Sequence, residues 1–193
     1  MIPEFGHFAL ALALAAAVVQ ATIPLIGAHT GRLHWMHIGK PAVRVQCLFV
    51  SIAFAALAWA FVTNDFSVAY VAANSNTALP GALRFSALWG AHEGSLLLWV
   101  LILSLWSAAV SFYSRDLPPS FVARVIAVLG LISIGFLLFM LYTSNPFERQ
   151  LPPAANGADL NPLLQDPGLI IHPPMLYVGY VGFSVAFSFA VAG

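Results

Sequence analysis

Five separate stretches of this chain, roughly residues 5–27, 43–63, 87–113, 120–142 and 170–192, are each apolar for about the 20 residues that a helix needs to cross a bilayer. That spacing predicts an all-α integral membrane protein, a bundle of about five transmembrane helices. The remainder of the sequence agrees. Only 7% of residues are charged and 61% are hydrophobic, whereas an ordinary globular domain is about 25% charged. A water-soluble domain, a disordered chain, a coiled coil and a nucleic-acid binder are thereby excluded, and the zero net charge leaves no basic surface for an anionic polymer. Cys47 is the single cysteine, so there is no intramolecular disulfide, no CxxC pair and no Cys-rich zinc site.

The first run has Glu4 but no Lys or Arg ahead of it. It also exceeds a signal peptide's apolar core, so it reads as a retained span. The last run ends at Gly193 without a polar stop, the pattern expected of the N-terminal piece of a larger polytopic protein. Residues 1–193 thus form one transmembrane region with two long polar connections, 64–86 and 143–169. Arg32, Lys40, Arg44, Arg115 and Arg124 cluster on one side of the bundle, whereas the other side holds Arg84 and Arg149. The positive-inside rule then predicts an N-out, C-in arrangement with both long connections outside. The Asn- and Ser-rich segment 64–80 reads as turn and loop. Segment 145–167 carries five prolines, which forbid a regular helix or a central strand. Long structureless connections tend to be functional or disordered. In the last span Gly179, Gly182, Ala186 and Ala190 share a face, as positions of close helix approach do, and that face is expected to pack against protein partly absent from this chain.

His172 precedes Pro173 and Pro174. A residue before proline avoids the α region, and proline suits a first helical turn. The pair predicts a helix start near 173–174, with His172 at the outer boundary in the field of unpaired N–H groups. Such a field favours the neutral imidazole that a metal ligand requires. Two readings follow: an axial ligand to heme iron, or an interfacial histidine that caps a helix. His92, Trp99 and Trp106 recur every seven residues, drifting about 20° per step on a helix. That stripe either lines a flat cofactor or packs between helices. Glu93 beside His92 is an ionisable group at the membrane edge, a costly kind of placement. His29, His34 and His37 lie in a connection lacking the acids or cysteines that would complete a metal site, and they read as solvated. His7 follows Glu4 by three and reads as a surface polar contact. No Ser-His-Asp or paired-carboxylate arrangement stands out, so no catalytic residue is assigned.

Several strings are specific enough to carry a resemblance. The opening MIPEFGHFAL, residues 66–76 (FSVAYVAANSN), 89–99 (WGAHEGSLLLW), 143–149 (TSNPFER) and 161–177 (NPLLQDPGLIIHPPMLY) resemble, in order, the membrane heme lyases of the multi-component cytochrome c maturation system, the cytochrome c maturation protein F family. The resemblance implies a protein of the bacterial inner membrane with its functional loops facing the periplasm. It implies receipt of heme from a periplasmic heme chaperone and covalent attachment to the CXXCH thiols of apocytochrome c. His172 would be one of two outer axial ligands of the transferred b-type heme, the one ligand this stretch would supply; His92 and Trp99 are further candidate heme contacts from the helical stripe alone. The second outer ligand and the ligands of a stably bound second heme would lie beyond residue 193. Expected partners are the chaperone, apocytochrome c, the thiol-reducing and apocytochrome-presenting subunits, the rest of the same lyase and membrane lipid, with no nucleic acid. This stretch alone is not expected to complete the reaction. The runner-up reading is a small-molecule or ion transporter, although transporters show midplane helix breaks. A third is a structural subunit of a respiratory complex.

Overall fold

The computed structural model describes all 193 residues. Five long helices are apolar enough to cross a membrane. They are α1 (Ile2–Thr30), α3 (Gly39–Val62), α6 (His92–Tyr113), α7 (Pro119–Thr143) and α8 (Pro167–Ala192). Three short helices intervene: α2 (Leu33–His37), which leads straight into α3, and then α4 (Ala69–Asn74) and α5 (Gly81–Ser86) in the first long connection. A 3₁₀ turn over Ala87–Trp89 is separated from α6 by Gly90 and Ala91, so the expected 87–113 span begins at His92. None of the long helices is interrupted at its middle, so the broken helices of transporters are not seen here.

α1 lies against both α3 and α7. Its alanines explain how. Ala9, Ala13, Ala17 and Ala21 are buried, and such short side chains let backbones approach closely, the main source of helix association in lipid. At Gly130 in α7 a Cβ would stand only 2.9 Å from the Ala21 backbone nitrogen, and at Gly39 in α3 it would crowd Pro24 at 3.1 Å. Gln20 is fully buried in this seam and donates its amide to the Ile126 carbonyl of α7 at 3.0 Å. The serines inside the spans, such as Ser107 and Ser133, return their hydroxyls to a carbonyl one turn back, which satisfies them without any partner helix.

α8 is the outlier. It packs beside α6 and α7, yet only Val181, Ser188 and Ala192 are buried. Most of the small-residue stripe faces away from α6 and α7: a Cβ at Gly179 would meet nothing within 4 Å, and Ala186 and Ala190 are exposed, whereas a Cβ at Gly182 would stand 3.6 Å from the Trp106 ring. Here two indoles dock the helix instead: Trp106 Nε1 donates to the Val178 carbonyl at 3.1 Å and Trp89 Nε1 to the Ile170 carbonyl at 3.0 Å.

Candidate functional site

The two long connections fold together into one platform on the bundle end that carries the start of α1. No sheet forms; a single bridge pairs Val68 with Arg149, flanked by Ala69 N–H to Glu148 C=O at 2.9 Å and Gln150 N–H to Ser67 C=O at 3.0 Å. Further along, Ala158 N–H reaches the Ala72 carbonyl at 2.7 Å, and the Asn76 amide donates to Asp159 Oδ1 at 2.5 Å. Gly157 is needed at this crossing, because a Cβ there would overlap the Ser75 carbonyl and sit 2.9 Å from that of Ala72. Arg149 ties platform to bundle. Its guanidinium donates to Glu4 of α1 at 2.5 and 2.8 Å and to Asp65 at 3.4 Å, and it also bonds the Ser67 hydroxyl. Arg84 is spent internally on the Leu79 and Thr77 carbonyls. Within segment 64–80, read as loop, residues 69–74 are helical. The alanines there favour a helix, and Tyr70, Val71 and Ala72 anchor it in the apolar core.

Tyr70 is the hub of the platform. Its phenol donates to the Leu88 carbonyl at 2.9 Å and receives the Ala91 N–H at 3.3 Å. Burial pushes its pKa well above the ordinary tyrosine range. The first turn of α6 closes over these atoms at Gly94, where a Cβ would overlap the Leu88 carbonyl oxygen and stand 2.5 Å from the Tyr70 hydroxyl. The second glycine of WGAHEG is therefore a packing requirement. From the sequence Tyr70 reads only as apolar packing for its own connection; for Gly94, a glycine in a helical first turn, where alanine is the better former, is the available signal.

The start of α8 corrects an expectation. The helix begins at Pro167, not at 173–174. Asp166 caps it, Oδ1 accepting from the Gly168 and Leu169 N–H groups at 2.8 and 3.3 Å. An Asp followed by proline is a sound start signal in its own right. Pro173 and Pro174 then lie inside the helix. Pro174 has no N–H for the Ile170 carbonyl, and the Trp89 indole takes that place. His172 consequently occupies the second helical turn, beyond the first turn where the terminal field is felt, so that field supplies no argument for neutral imidazole here. Its ring is exposed, with Ile171 and Met175 beside it also largely exposed.

His92 stands at the platform end of a groove of about 230 Å³ lined by Ser95, Leu96, Trp99, Phe136 and Tyr177. Its Nε2 lies 2.8 Å from the Ser144 hydroxyl. Trp99 packs on Phe136 of α7 with ring centroids 4.3 Å apart, and with Trp106 on α8 the stripe fills seams between helices. His172 does not line this groove. α8 offers Tyr177 there, five residues on and roughly 140° around the helix. Glu93 borders a depression with Glu148, Asn74 and Asn145. His7 reaches Asn145 Oδ1 at 3.4 Å. His29, His34 and His37 are at the opposite end, and no three His, Cys, Asp or Glu side chains converge as they would around a bare metal ion.

The fold defines a polytopic helical membrane protein with a folded extramembrane platform and an exposed histidine at the platform edge. Residues 89–193, more than half of the chain, match the family described as Cytochrome C assembly protein, and the chain belongs to that family. Over its whole length it is 63% identical to the cytochrome c-type biogenesis protein CcmF of Pseudomonas aeruginosa and 55% identical to that of Escherichia coli. It spans only 29% and 30% of those proteins. A solved structure, the cytochrome c heme lyase CcmF, superimposes with a TM-score of 0.84 at 29% identity, covering 100% of this chain and 30% of that one.

Proposed function

We propose that these helices and their platform form part of a heme lyase of cytochrome c biogenesis, with His172 as an axial ligand to heme held as substrate at the platform. The observation that supports this most is the exposed His172 ring on the α8 face next to the platform, beside uncovered apolar side chains, in a chain whose relatives are cytochrome c biogenesis proteins. An imidazole free of protein partners beside Ile171 and Met175 suits one face of a flat, apolar, iron-bearing ring. His92 and Trp99 contribute a second apolar wall one seam away. The charge bias between the two ends supports an N-out, C-in orientation with the platform in the periplasm, and the bacterial relatives support the inner membrane. Heme arrives there from a periplasmic chaperone.

The reaction is addition without a leaving group. Each thiol of the apocytochrome CXXCH motif adds across a heme vinyl C=C, sulfur to one carbon and hydrogen to the other, and no net electrons are transferred. Holding thiol and vinyl in near-attack geometry supplies much of the acceleration. The chain's own part is to fix the heme plane through His172 and to exclude water with the surrounding apolar side chains. Thiol-reducing and apocytochrome-presenting subunits and the rest of the lyase complete the assembly.

His172→Ala in the complete assembly tests the reading. Cytochrome c yield should fall to background at matched expression, with a changed heme spectrum and partial rescue by added imidazole. His92→Ala should give a milder loss, since it removes a bond to Ser144. Normal yield and an unchanged spectrum from His172→Ala would make this histidine a bystander.

A further inference from the structure

The bundle end opposite the platform holds a second built site. A pocket of about 220 Å³ lies where the α2–α3 elbow, the end of α6 and the start of α7 meet, and it is lined by His37, Lys40, Ser114 and Arg115 over an apolar floor that includes Val122 and Ile126. That volume exceeds the roughly 30 Å³ share of one water. Neither Lys40 nor Arg115 is neutralised by an acid. Every ion pair in the protein involves Glu4 or Arg149 on the platform side, and the one acid at this end, Asp116, neither lines the pocket nor pairs with anything. Ser114 is only 7% exposed, yet its hydroxyl bonds no protein group while its N–H is spent on Val110. α7 begins at the rim, at Pro119, without a side-chain cap.

We infer that this pocket binds a phosphate group, that of an anionic phospholipid headgroup or of a free phosphate. Lys40 and Arg115 would donate charge-assisted hydrogen bonds to the phosphate oxygens, and Ser114 and His37 would complete the ring of donors. The apolar floor continuous with α7 favours the lipid, because it offers the glycerol and acyl ends a surface that a free anion does not use. Basic pockets between membrane helices recognise anionic headgroups in this way. A headgroup seated here would bridge the α2–α3 elbow and the α6–α7 turn.

Native mass spectrometry of the purified chain, titrated separately with phosphatidylglycerol and phosphatidylcholine, tests this. Phosphatidylglycerol should bind about tenfold or more tightly than phosphatidylcholine. Lys40→Gln with Arg115→Gln should abolish that preference. Arg32→Gln with Arg44→Gln removes the same charge from the same end but outside the pocket, and should preserve it. Equal losses from both double variants, or no preference in the unaltered chain, would reduce the cluster to the general charge bias of one membrane face and overturn the proposal. Displacement of phosphatidylglycerol by inorganic phosphate at equal concentration would assign free phosphate and overturn the lipid. Should the pocket double variant unfold, Ser114→Ala decides: it keeps the charge, and binding must weaken at an unchanged unfolding midpoint.

Discussion

Replacing Gly94 by alanine sets two physical effects of opposite sign against each other. Gly94 lies in the first turn of α6, and alanine is favoured over glycine within a helix by about 1 kcal/mol. Propensity alone therefore forecasts stabilisation. The tertiary contacts forecast the reverse. The added Cβ would overlap the Leu88 carbonyl oxygen and lie 2.8 Å from its carbon and 2.5 Å from the Tyr70 hydroxyl. Backbone cannot rotate away as a flexible side chain does, so the α6 start and the 3₁₀ turn must separate. Overpacking of this kind costs about 1–3 kcal/mol or more, and losing the Tyr70–Leu88 hydrogen bond adds about 1 kcal/mol. Subtracting the propensity gain leaves a net destabilisation of about 1–3 kcal/mol. Gly135 in α7 is the control, because nothing lies within 4 Å of its would-be Cβ. Gly135→Ala should be neutral or stabilising by up to about 1 kcal/mol. Denaturant unfolding in micelles, followed by helical circular dichroism, measures both. A Gly94→Ala protein as stable as the parent would show that the α6 start is not held against the platform and would refute the reasoning.

Trp89→Phe leaves the Ile170 carbonyl without its donor and should cost about 1 kcal/mol, read as faster hydrogen exchange confined to the first turns of α8. The raised Tyr70 pKa makes its contribution complete below about pH 10, the ordinary tyrosine value, and progressively lost above it. Stability compared between about pH 8 and pH 11 should therefore fall more steeply for the parent than for Tyr70→Phe, and identical slopes would contradict the burial. For topology, cysteines placed at the exposed Thr77 and Asn156 in a Cys47→Ser background should label with an impermeant reagent on spheroplasts, whereas one at Ser75 should not label anywhere, because that residue is fully buried. Labelling at Thr77 and Asn156 only after permeabilisation would reverse the proposed orientation.

The five spans were legible in the sequence because lipid imposes a length and a polarity that no tertiary context overrides. The charge bias between the two ends could be counted residue by residue for the same reason, and the strings around His92 and His172 were distinctive enough to place the chain in its family. Local turn chemistry is legible in principle too, in the Asp166–Pro167 start, although the double proline at 173–174 is the more conspicuous signal. What takes up the carbonyl that Pro174 leaves unpaired inside α8 is an indole 81 residues away in the chain, and no local rule carries that. The same holds for the union of the two long connections, for the glycines at 94 and 157, and for the assembly of His37, Lys40 and Arg115 about one pocket. Each depends on which backbone passes within about 3 Å of which other. Hydrophobic burial is set by composition and period and so can be read along a line. Close approach, hydrogen-bond completion and charge convergence depend on how helices lean on one another, and only the folded chain decides that.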